Sequence, residues 1–390
     1  MRPHLTVVGG GLAGLTAAIA AAEQGMAVTL YEAHRTLGGR ARSTSGPYVA
    51  NDGTHAFYAD GEPFRWLAER HLVQPYRKPS GAELRRVRLK HGGTLHRLPP
   101  ADLLRALSRR GVRAPVDEDF GSWAGRRFGE SAARAAGALV GVVTYEADPG
   151  RLSAAFVWER VLRAAAARLP AIRYAAGGWG AVIDRMAARA RELGVAIETG
   201  TRVDALPEPP VIVATSLPAA RQLLGDSTLR WESGHAVLLD LGLVADPRDP
   251  FLVCDLDDGG FLTRQSMPLP DLAPPGHSLV QLEMPARRDE PSGEAARRIE
   301  GLADLGLPGW RDRVTWRRDA TAYGRTGALD LPGTTWRDRP AVDRGDGVWL
   351  VGDCVAAPGL LSEVSMNSAV AAASAAATVS LGRIAAGDPA

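Results

Sequence analysis

Cysteine and lysine are scarce in this sequence. The two cysteines, Cys254 and Cys354, lie far apart and match neither a disulfide framework nor a zinc-binding pattern. Their scarcity indicates a reducing compartment, so we expect a cytoplasmic protein. Lys78 and Lys90 are the only lysines, and the 46 basic residues nearly balance the 44 acidic ones. This balance leaves no overall basic footprint, which argues against nucleic acid as a partner.

Long hydrophobic runs are also missing. The longest apolar stretch beyond the first strand, residues 369–377, is rich in alanine and much shorter than the ~20 residues that a membrane-spanning helix needs. A strand begins within a few residues of Met1, so we expect no secretory signal and no transmembrane segment. The arginines of residues 105–127 would still allow peripheral contact with a membrane. No HExxH or GxSxG motif occurs, and no metal site is predicted.

The N-terminal residues carry a specific pattern. A short buried strand is predicted at residues 4–8, followed by a glycine-rich turn and an alanine-rich helix. The turn has the spacing GxGxxG, which lets backbone N–H groups and a helix N-terminus approach a pyrophosphate. Glu32 ends the next predicted strand, at the distance where an acid binds ribose hydroxyls and disfavours the 2′-phosphate of NADP. The N-terminus therefore predicts a dinucleotide-binding Rossmann unit.

The segment LGGRARS follows directly and places Gly39 and Arg40 where N–H groups and a guanidinium can meet phosphate oxygens. With GGGLAGLTAA, YEA and the C-terminal VWLVGDCVAAPGLLSEVSMNSAVAAA, it resembles the FAD-dependent flavoproteins of the amine oxidase, phytoene desaturase and protoporphyrinogen oxidase superfamily. Within that superfamily the chain is most similar to small bacterial phytoene-desaturase-related oxidoreductases. The resemblance implies that the cofactor is FAD.

The resemblance also implies which residues bind FAD. The N-terminal motifs would hold the pyrophosphate and the adenosine ribose, and a predicted strand pair would bring the backbone near Val203 to the adenine. A C-terminal strand ends at Asp353, which would contact the ribityl chain or the pyrophosphate, and a helix predicted over residues 365–377 would begin near the flavin. The implied set is Gly9, Gly11, Gly14, Glu32, Gly39, Arg40, Val203, Gly352, Asp353, Ser365, Met366 and Asn367.

These motifs predict an α/β protein with a Rossmann-like FAD-binding domain of the GR2 type and an inserted substrate domain. The FAD-binding domain would be discontinuous and would comprise residues 1–75, 175–228 and 340–390. The substrate domain would comprise residues 76–174, with helical patterns such as 131–143, and residues 229–339, whose short apolar runs predict a mixed sheet.

Catalytic side chains are harder to predict because FAD itself carries the redox chemistry. GTHAFY resembles a segment that lies beside the flavin in desaturase-like members, so His55 and Tyr58 are candidates to line the site. Histidine can exchange protons near neutral pH, but a lone histidine is also common in purely structural roles. Tyr145 lies at a predicted helix end in the substrate domain, where it would face the pocket or serve only as a cap and turn.

The function these features predict is an FAD-dependent oxidoreductase: a dehydrogenase, desaturase or oxidase that transfers hydride from a small or lipophilic organic metabolite to the flavin. The electron acceptor would be oxygen, a quinone or another carrier. Two alternatives stay open: a flavin-dependent isomerase or mutase with no net redox change, and a non-catalytic lipid carrier of the same architecture. The sequence does not define the substrate, the oligomeric state, or whether Cys354 is linked to the flavin.

Overall fold

A computed structural model of the protein describes residues 2–53, 56–165 and 171–386. His55 lies outside the described residues. Within them the strands are β1 (His4–Val8), β2 (Ala27–Glu32), β3 (Phe57–Tyr58), β4 (Tyr76–Arg77), β5 (Val87–His91), β6 (Thr94–His96), β7 (Ile172–Ala175), β8 (Ala196–Thr199), β9 (Val211–Val213), β10 (Ser233–Val244), β11 (Leu252–Asp255), β12 (Phe261–Arg264), β13 (His277–Pro285), β14 (Val314–Ala328) and β15 (Val348–Leu350). The helices are α1 (Leu12–Glu23), α2 (Glu62–Glu69), α3 (Gly81–Leu84), α4 (Ala101–Ser108), α5 (Phe120–Phe128), α6 (Glu130–Leu139), α7 (Gly141–Thr144), α8 (Ala154–Ala164), α9 (Gly178–Glu192), α10 (Leu217–Leu223), α11 (Ser292–Gly306), α12 (Trp310–Arg313) and α13 (Ser362–Ala386).

A five-stranded sheet gathers both ends of the chain. Its order is β15-β9-β1-β2-β8, and every pairing in it is parallel. Helices α1, α9 and α13 pack with the sheet in one hydrophobic core, and the alanines of α1 and α13 let these two helices approach closely. Parallel sheets are stable when both faces are covered, and the continuous apolar runs of β1, β9 and β15 follow from that burial.

The second sheet has seven strands in the order β14-β10-β13-β12-β11-β5-β6. Its pairings are antiparallel except for β11 with β5, so the sheet is mixed. Helix α11 covers one face, where Ile299 and Leu302 pack on apolar residues of β10 and β13. The opposite face, which we call the inner face, carries Asp240, Gln281 and Glu283, and Gln281 donates from Nε2 to the carbonyl of Asn51 at 2.9 Å. The inner face therefore borders the loop that follows the glycine motifs.

The parallel sheet and the second, mixed sheet confirm the predicted fold class. Helices α4 to α8 form a separate cluster around Phe120, Trp123 and Trp158, beside the mixed sheet. The helix predicted over residues 131–143 is divided at Val140 into α6 and α7. Gly141, the first residue of α7, lies directly against the backbone of Gly259, where a side chain would not fit. Among the described helices, none is long and apolar enough to cross a membrane.

Two further expectations need correction. Of the strand pair predicted around Val203, only the first strand is present, as β8; the second is wrong, because the chain leaves the sheet after Thr199 and forms a loop up to β9. The predicted C-terminal helix begins at Ser362, three residues earlier than the sequence indicates. Its first turn therefore consists of residues that precede the motif singled out from the sequence.

Candidate cofactor and substrate site

Four strands of the parallel sheet end at one edge. Gly9 follows β1, Glu32 ends β2, Ala214 follows β9, and Gly352 and Asp353 follow the end of β15 closely. Because the strands are parallel, their carboxyl ends meet at the same edge, where ligands of open α/β sheets bind. Residues more than 300 positions apart in the sequence thus lie in one crevice.

The three motif glycines differ in whether the surrounding protein leaves room for a side chain. Gly9 has a φ of +112°, and a Cβ there would lie 2.6 Å from the carbonyl oxygen of Ala214. A Cβ at Gly14 would overlap the carbonyl oxygen of Gly9, so both positions are dictated by the protein's own packing. Gly11 differs, because the nearest atom to its added Cβ would be the Gly38 carbonyl oxygen at 3.9 Å. Nothing within the protein requires glycine at position 11, which fits a position that a ligand approaches closely.

Glu32 lies beneath this turn and is almost fully buried. Its Oε2 accepts a hydrogen bond from the backbone N–H of Gly10 at 2.7 Å, and its Oε1 accepts from the backbone N–H of His34 at 2.8 Å. The His34 ring nitrogen Nδ1 also lies 2.8 Å from Oε1. A carboxylate oxygen can accept more than one hydrogen bond, so Glu32 has capacity left for ribose hydroxyls.

Helix α1 begins directly after Gly11 without any side-chain cap. Its first N–H groups and the positive end of its dipole are therefore available to an anion. The loop of Gly38 and Gly39 runs beside it, with the N–H of Gly38 donating to the carbonyl of Gly10 at 2.8 Å. The predicted glycines of the two motifs are thus adjacent in space.

Arg40 and Asp353 form an ion pair that joins the two ends of the chain. Nη2 of Arg40 donates to Oδ1 of Asp353 at 2.9 Å, Nη1 donates to Oδ2 of the same carboxylate, and Nη1 also donates to the carbonyl of Arg325 at 2.7 Å. About half of the Arg40 side chain is exposed (48%), although protein surrounds it, so it lines an open crevice. Burial opposes ionisation of Asp353, but the Arg40 guanidinium holds the pKa of this carboxyl below its ordinary value.

The residues predicted at the start of the C-terminal helix lie one turn inside it. Met366 packs in the core between the parallel sheet and the helices, and Ser365 is buried. Asn367 donates from Nδ2 to the carbonyl of Pro358 at 2.9 Å. Ser368, which the sequence did not single out, bonds with Gly352 and thereby ties the helix to the glycine after β15. Val203 packs in the loop against the parallel sheet, partly buried.

These residues fit FAD. The crevice offers N–H donors and a guanidinium that could bind a pyrophosphate, one carboxylate that could accept from ribose hydroxyls, a second that could accept from polyol hydroxyls, and a glycine whose missing side chain leaves open space. The cradle at Gly11 and the half-exposed guanidinium of Arg40 are the observations that favour a bound anion of this kind.

A second group of side chains adjoins the crevice. Tyr145 is the residue after α7 and is held in the left-handed region with φ 54°, a strained conformation for tyrosine that often occurs at functional sites. Its hydroxyl is hydrogen-bonded with the buried carboxylate of Glu283 on β13. Burial, and then the charge of Glu283, raise the pKa of Tyr145 well above its ordinary value, while the charge of Arg40 acts in the opposite direction. Tyr145 therefore stays protonated at neutral pH.

Tyr58 lies on β3 near Tyr145, and burial raises its pKa as well. The Arg163 guanidinium stacks over its ring at 4.5 Å and donates to both oxygens of Glu363 at 2.7 Å. Because Arg163 lies on α8 and Glu363 in the first turn of α13, this cluster fastens the helical insertion to the C-terminal helix. Tyr58 is thus held by the Arg163 guanidinium, which Glu363 positions in turn.

Sequence reasoning missed several polar residues of the inner face. Arg318 of β14 binds Asp240 of β10 and Asp52 of the loop after the N-terminal motifs, the latter at 2.8 Å. Gln281 donates to Asp240 at 2.8 Å, and Glu283 follows two positions later on the same face. The sequence did contain a signal, since Gln281 and Glu283 alternate with apolar residues along β13 and therefore lie on the opposite face of the strand. Burying a polar or charged side chain costs free energy unless it is paired, so such residues in an apolar strand indicate a polar site.

Comparison with known proteins identifies the same architecture. A family model for an NAD(P)-binding Rossmann-like domain matches residues 7–70. Among curated protein sequences, none matches the chain. An oxidoreductase from Methanosarcina mazei has a similar structure, with a TM-score of 0.75 and 16% identity over 94% of this chain and 99% of that chain.

Two other solved structures have the same overall arrangement. Cyclohexylamine oxidase from Brevibacterium oxydans gives a TM-score of 0.70 and 17% identity over 97% of this chain and 99% of that chain. Reduced UDP-galactopyranose mutase gives a TM-score of 0.72 and 16% identity over 97% and 96% of the respective chains. The chain therefore shares its overall fold with these structures, in agreement with the fold class that its terminal motifs predict. At these identities the similarity establishes the fold alone, and the chemistry is argued below from the residues.

Proposed function

We propose that this chain is an FAD-dependent oxidoreductase that acts on a small or lipophilic organic metabolite. The observation that carries the proposal is the meeting of both terminal motifs in one crevice, where Arg40 and Asp353 pair beside the uncapped start of α1. That crevice matches the dinucleotide site of open α/β sheets, and Glu32 disfavours a ribose phosphate. The similar folds of an oxidoreductase and an amine oxidase agree with it.

In this proposal each residue of the crevice has a definite task. The N–H groups around Gly9, Gly11 and Gly39 and the guanidinium of Arg40 would hold the pyrophosphate, Glu32 the adenosine ribose, and Asp353 the ribityl chain. The loop at Val203 would border the adenine. The start of α13, with Ser365, Met366 and Asn367 in its second turn, would lie near the isoalloxazine ring through its backbone, since Met366 faces the core. When bound, FAD would accept a hydride from the substrate.

The substrate would bind between the inner face of the mixed sheet and the crevice. Tyr145 stays protonated, so it can donate a hydrogen bond to a substrate but cannot remove a proton as a phenolate. Glu283 is the carboxylate next to it and can orient that hydroxyl, while Tyr58 contributes an aromatic wall. The enclosing helices α5 to α8 would exclude water from the bound substrate. Electrons would then pass to oxygen, a quinone or another carrier.

The visible spectrum of protein purified without added cofactor tests the cofactor assignment. We expect flavin absorption bands and, after heat or acid denaturation, release of a yellow compound whose mass is that of FAD. Retention of the colour on the precipitated protein would indicate covalent attachment. A colourless protein that also fails to bind FAD on titration would contradict the proposal and would favour the non-catalytic carrier.

The tyrosine and its carboxylate give a second prediction. Once an anaerobic screen has found a metabolite that bleaches the flavin, Y145F and E283Q should each slow flavin reduction by about tenfold or more, because a positioned hydrogen-bond donor or its partner is lost. FAD affinity should stay unchanged, since neither residue belongs to the pyrophosphate crevice. Y76F, which alters an exposed tyrosine, is the matched control. Wild-type reduction rates in Y145F would remove Tyr145 from the substrate site.

A flavin-dependent isomerase or mutase is the second candidate, favoured by the similar fold of UDP-galactopyranose mutase. The two functions differ in their products. Under anaerobic conditions an oxidoreductase converts at most one equivalent of substrate per flavin and changes its mass by two hydrogens. A mutase turns over many equivalents and leaves the mass unchanged.

A further inference from the structure

A cavity on the mixed sheet is lined by arginines and lies apart from the crevice. It has a volume of about 520 Å³ and is formed by the β5–β6 hairpin, the last turn of α11 and the loop before β11. Leu305 and Pro308 contribute apolar wall. Its charged lining residues are Arg85, Arg86, Arg88, Arg97 and Arg248, and no acidic side chain lines it. We call this cavity the arginine pocket.

Most of these arginines have no acidic partner. Arg248 pairs with Asp246, but no carboxylate among the described residues lies within ion-pair distance of the other four, Arg85, Arg86, Arg88 and Arg97. Arg86 and Arg88 donate to backbone carbonyls instead. Lys90, two positions further along β5, differs from these arginines, because two carboxylates neutralise it: its Nζ lies 2.9 Å from both Asp255 and Asp258.

The arrangement places like charges side by side. The antiparallel register pairs Leu89 with His96, and Arg88 and Arg97 are the residues next to this pair, so their charges act on each other. Like charges directly opposite each other destabilise a sheet. Burial lowers the pKa of Arg88, and the charges of Arg97 and Arg86 lower it further. The C-terminal end of α11 offers only about half of one negative charge, which cannot balance four guanidinium groups.

We propose that the arginine pocket binds an oligophosphate group. Guanidinium groups bind phosphate through paired hydrogen bonds, and several of them around one cavity match an anion that carries several charges. The volume lies in the range of small-molecule sites. No aromatic side chain lines the pocket to stack on a base, so recognition rests on the phosphates themselves. The chemistry is the same whether these phosphates are free, part of a nucleotide or part of a lipid headgroup.

Calorimetric titration of the full chain with sodium tripolyphosphate tests this proposal. We expect binding that weakens with added salt, and an affinity at least about tenfold lower in R88Q/R97Q, because each guanidinium–phosphate contact is charge-assisted. R105Q/R109Q is the matched control, since it removes the same charge from two exposed arginines outside the pocket, one in α4 and one directly after it. Vesicles with and without a phosphoinositide distinguish a lipid headgroup from a soluble phosphate. In either case R88Q/R97Q should lose the binding.

Thermal unfolding provides an independent readout. Without phosphate, R88Q/R97Q should unfold at the wild-type temperature or above it, since a repulsion is removed. Tripolyphosphate should raise the Tm of the wild type and of R105Q/R109Q but not that of R88Q/R97Q. R97Q alone, at an exposed position, replaces the double variant if that variant does not fold. The flavin spectrum should be the same in all variants. An equal loss of tripolyphosphate binding in R105Q/R109Q, or no binding by the wild type at low salt, would overturn the proposal.

Discussion

Replacing Arg339 by methionine should destabilise the protein by about 3–5 kcal/mol, because it leaves a buried carboxylate without its partner. Arg339 donates from Nε and Nη2 to the two oxygens of Asp330, each at 2.8 Å, in a parallel two-bond arrangement. Both side chains are almost completely buried, with 2% and 5% of their surfaces exposed. Water therefore cannot reach Asp330 to replace the lost guanidinium. Urea unfolding followed by circular dichroism measures the change.

The double variant D330L/R339M shows why the single change is severe. A buried ion pair replaced by apolar residues of similar volume is often neutral in stability, so the double variant should recover most of the loss. R337M is the control: Arg337 is exposed and stacks on Trp336, so the variant should stay within about 0.5 kcal/mol of the wild type. A loss below about 1 kcal/mol in R339M would mean that Asp330 becomes hydrated or protonated when the arginine is removed.

The fold was predictable where the signal is local. The strand, glycine turn and helix at residues 4–24 are contiguous, and the spacing of the glycines is visible in the sequence itself. The apolar runs of β10 and β13 likewise predict strands, because short runs of apolar residues between turn residues are typical of buried strands. The loop around Val203 was predicted wrongly because a resemblance suggested a second strand there, whereas the chain leaves the sheet after Thr199 and reaches β9 through a loop.

The site was only partly predictable, because its contacts join distant residues. Arg40 and Asp353 were each assigned to FAD, but nothing in the sequence showed that they bind each other across 313 positions. The hydrogen bond between Tyr145 and Glu283 depends on the left-handed backbone conformation of Tyr145 after α7 and on the position of Glu283 on the inner face of the mixed sheet. The arginine pocket depends on hairpin register. Such pairings are set by topology, and no single segment encodes them.

Replacing Gly11 by alanine should weaken FAD binding at least about tenfold and leave the fold intact. Gly11 has φ −78° and ψ −174°, which alanine adopts without strain, and no protein atom lies closer than 3.9 Å to the added methyl group. The only obstacle to the methyl is the pyrophosphate that we place against this turn. Titration of FAD into stripped protein, followed by flavin fluorescence, measures the affinity, and thermal unfolding of the apoprotein measures the fold.

Gly14 supplies the contrasting variant. Alanine normally favours a helix over glycine by about 1 kcal/mol, but at position 14 its methyl would overlap the carbonyl oxygen of Gly9. This overlap outweighs the helical preference, so G14A should destabilise the apoprotein by about 1–3 kcal/mol, as overpacking does in other cores. The two variants thus separate the glycine that the protein needs for itself from the one that the cofactor needs. If G11A bound FAD as tightly as the wild type, the pyrophosphate would not lie against this turn. The assignment of Gly11, although not that of the fold, would then be wrong.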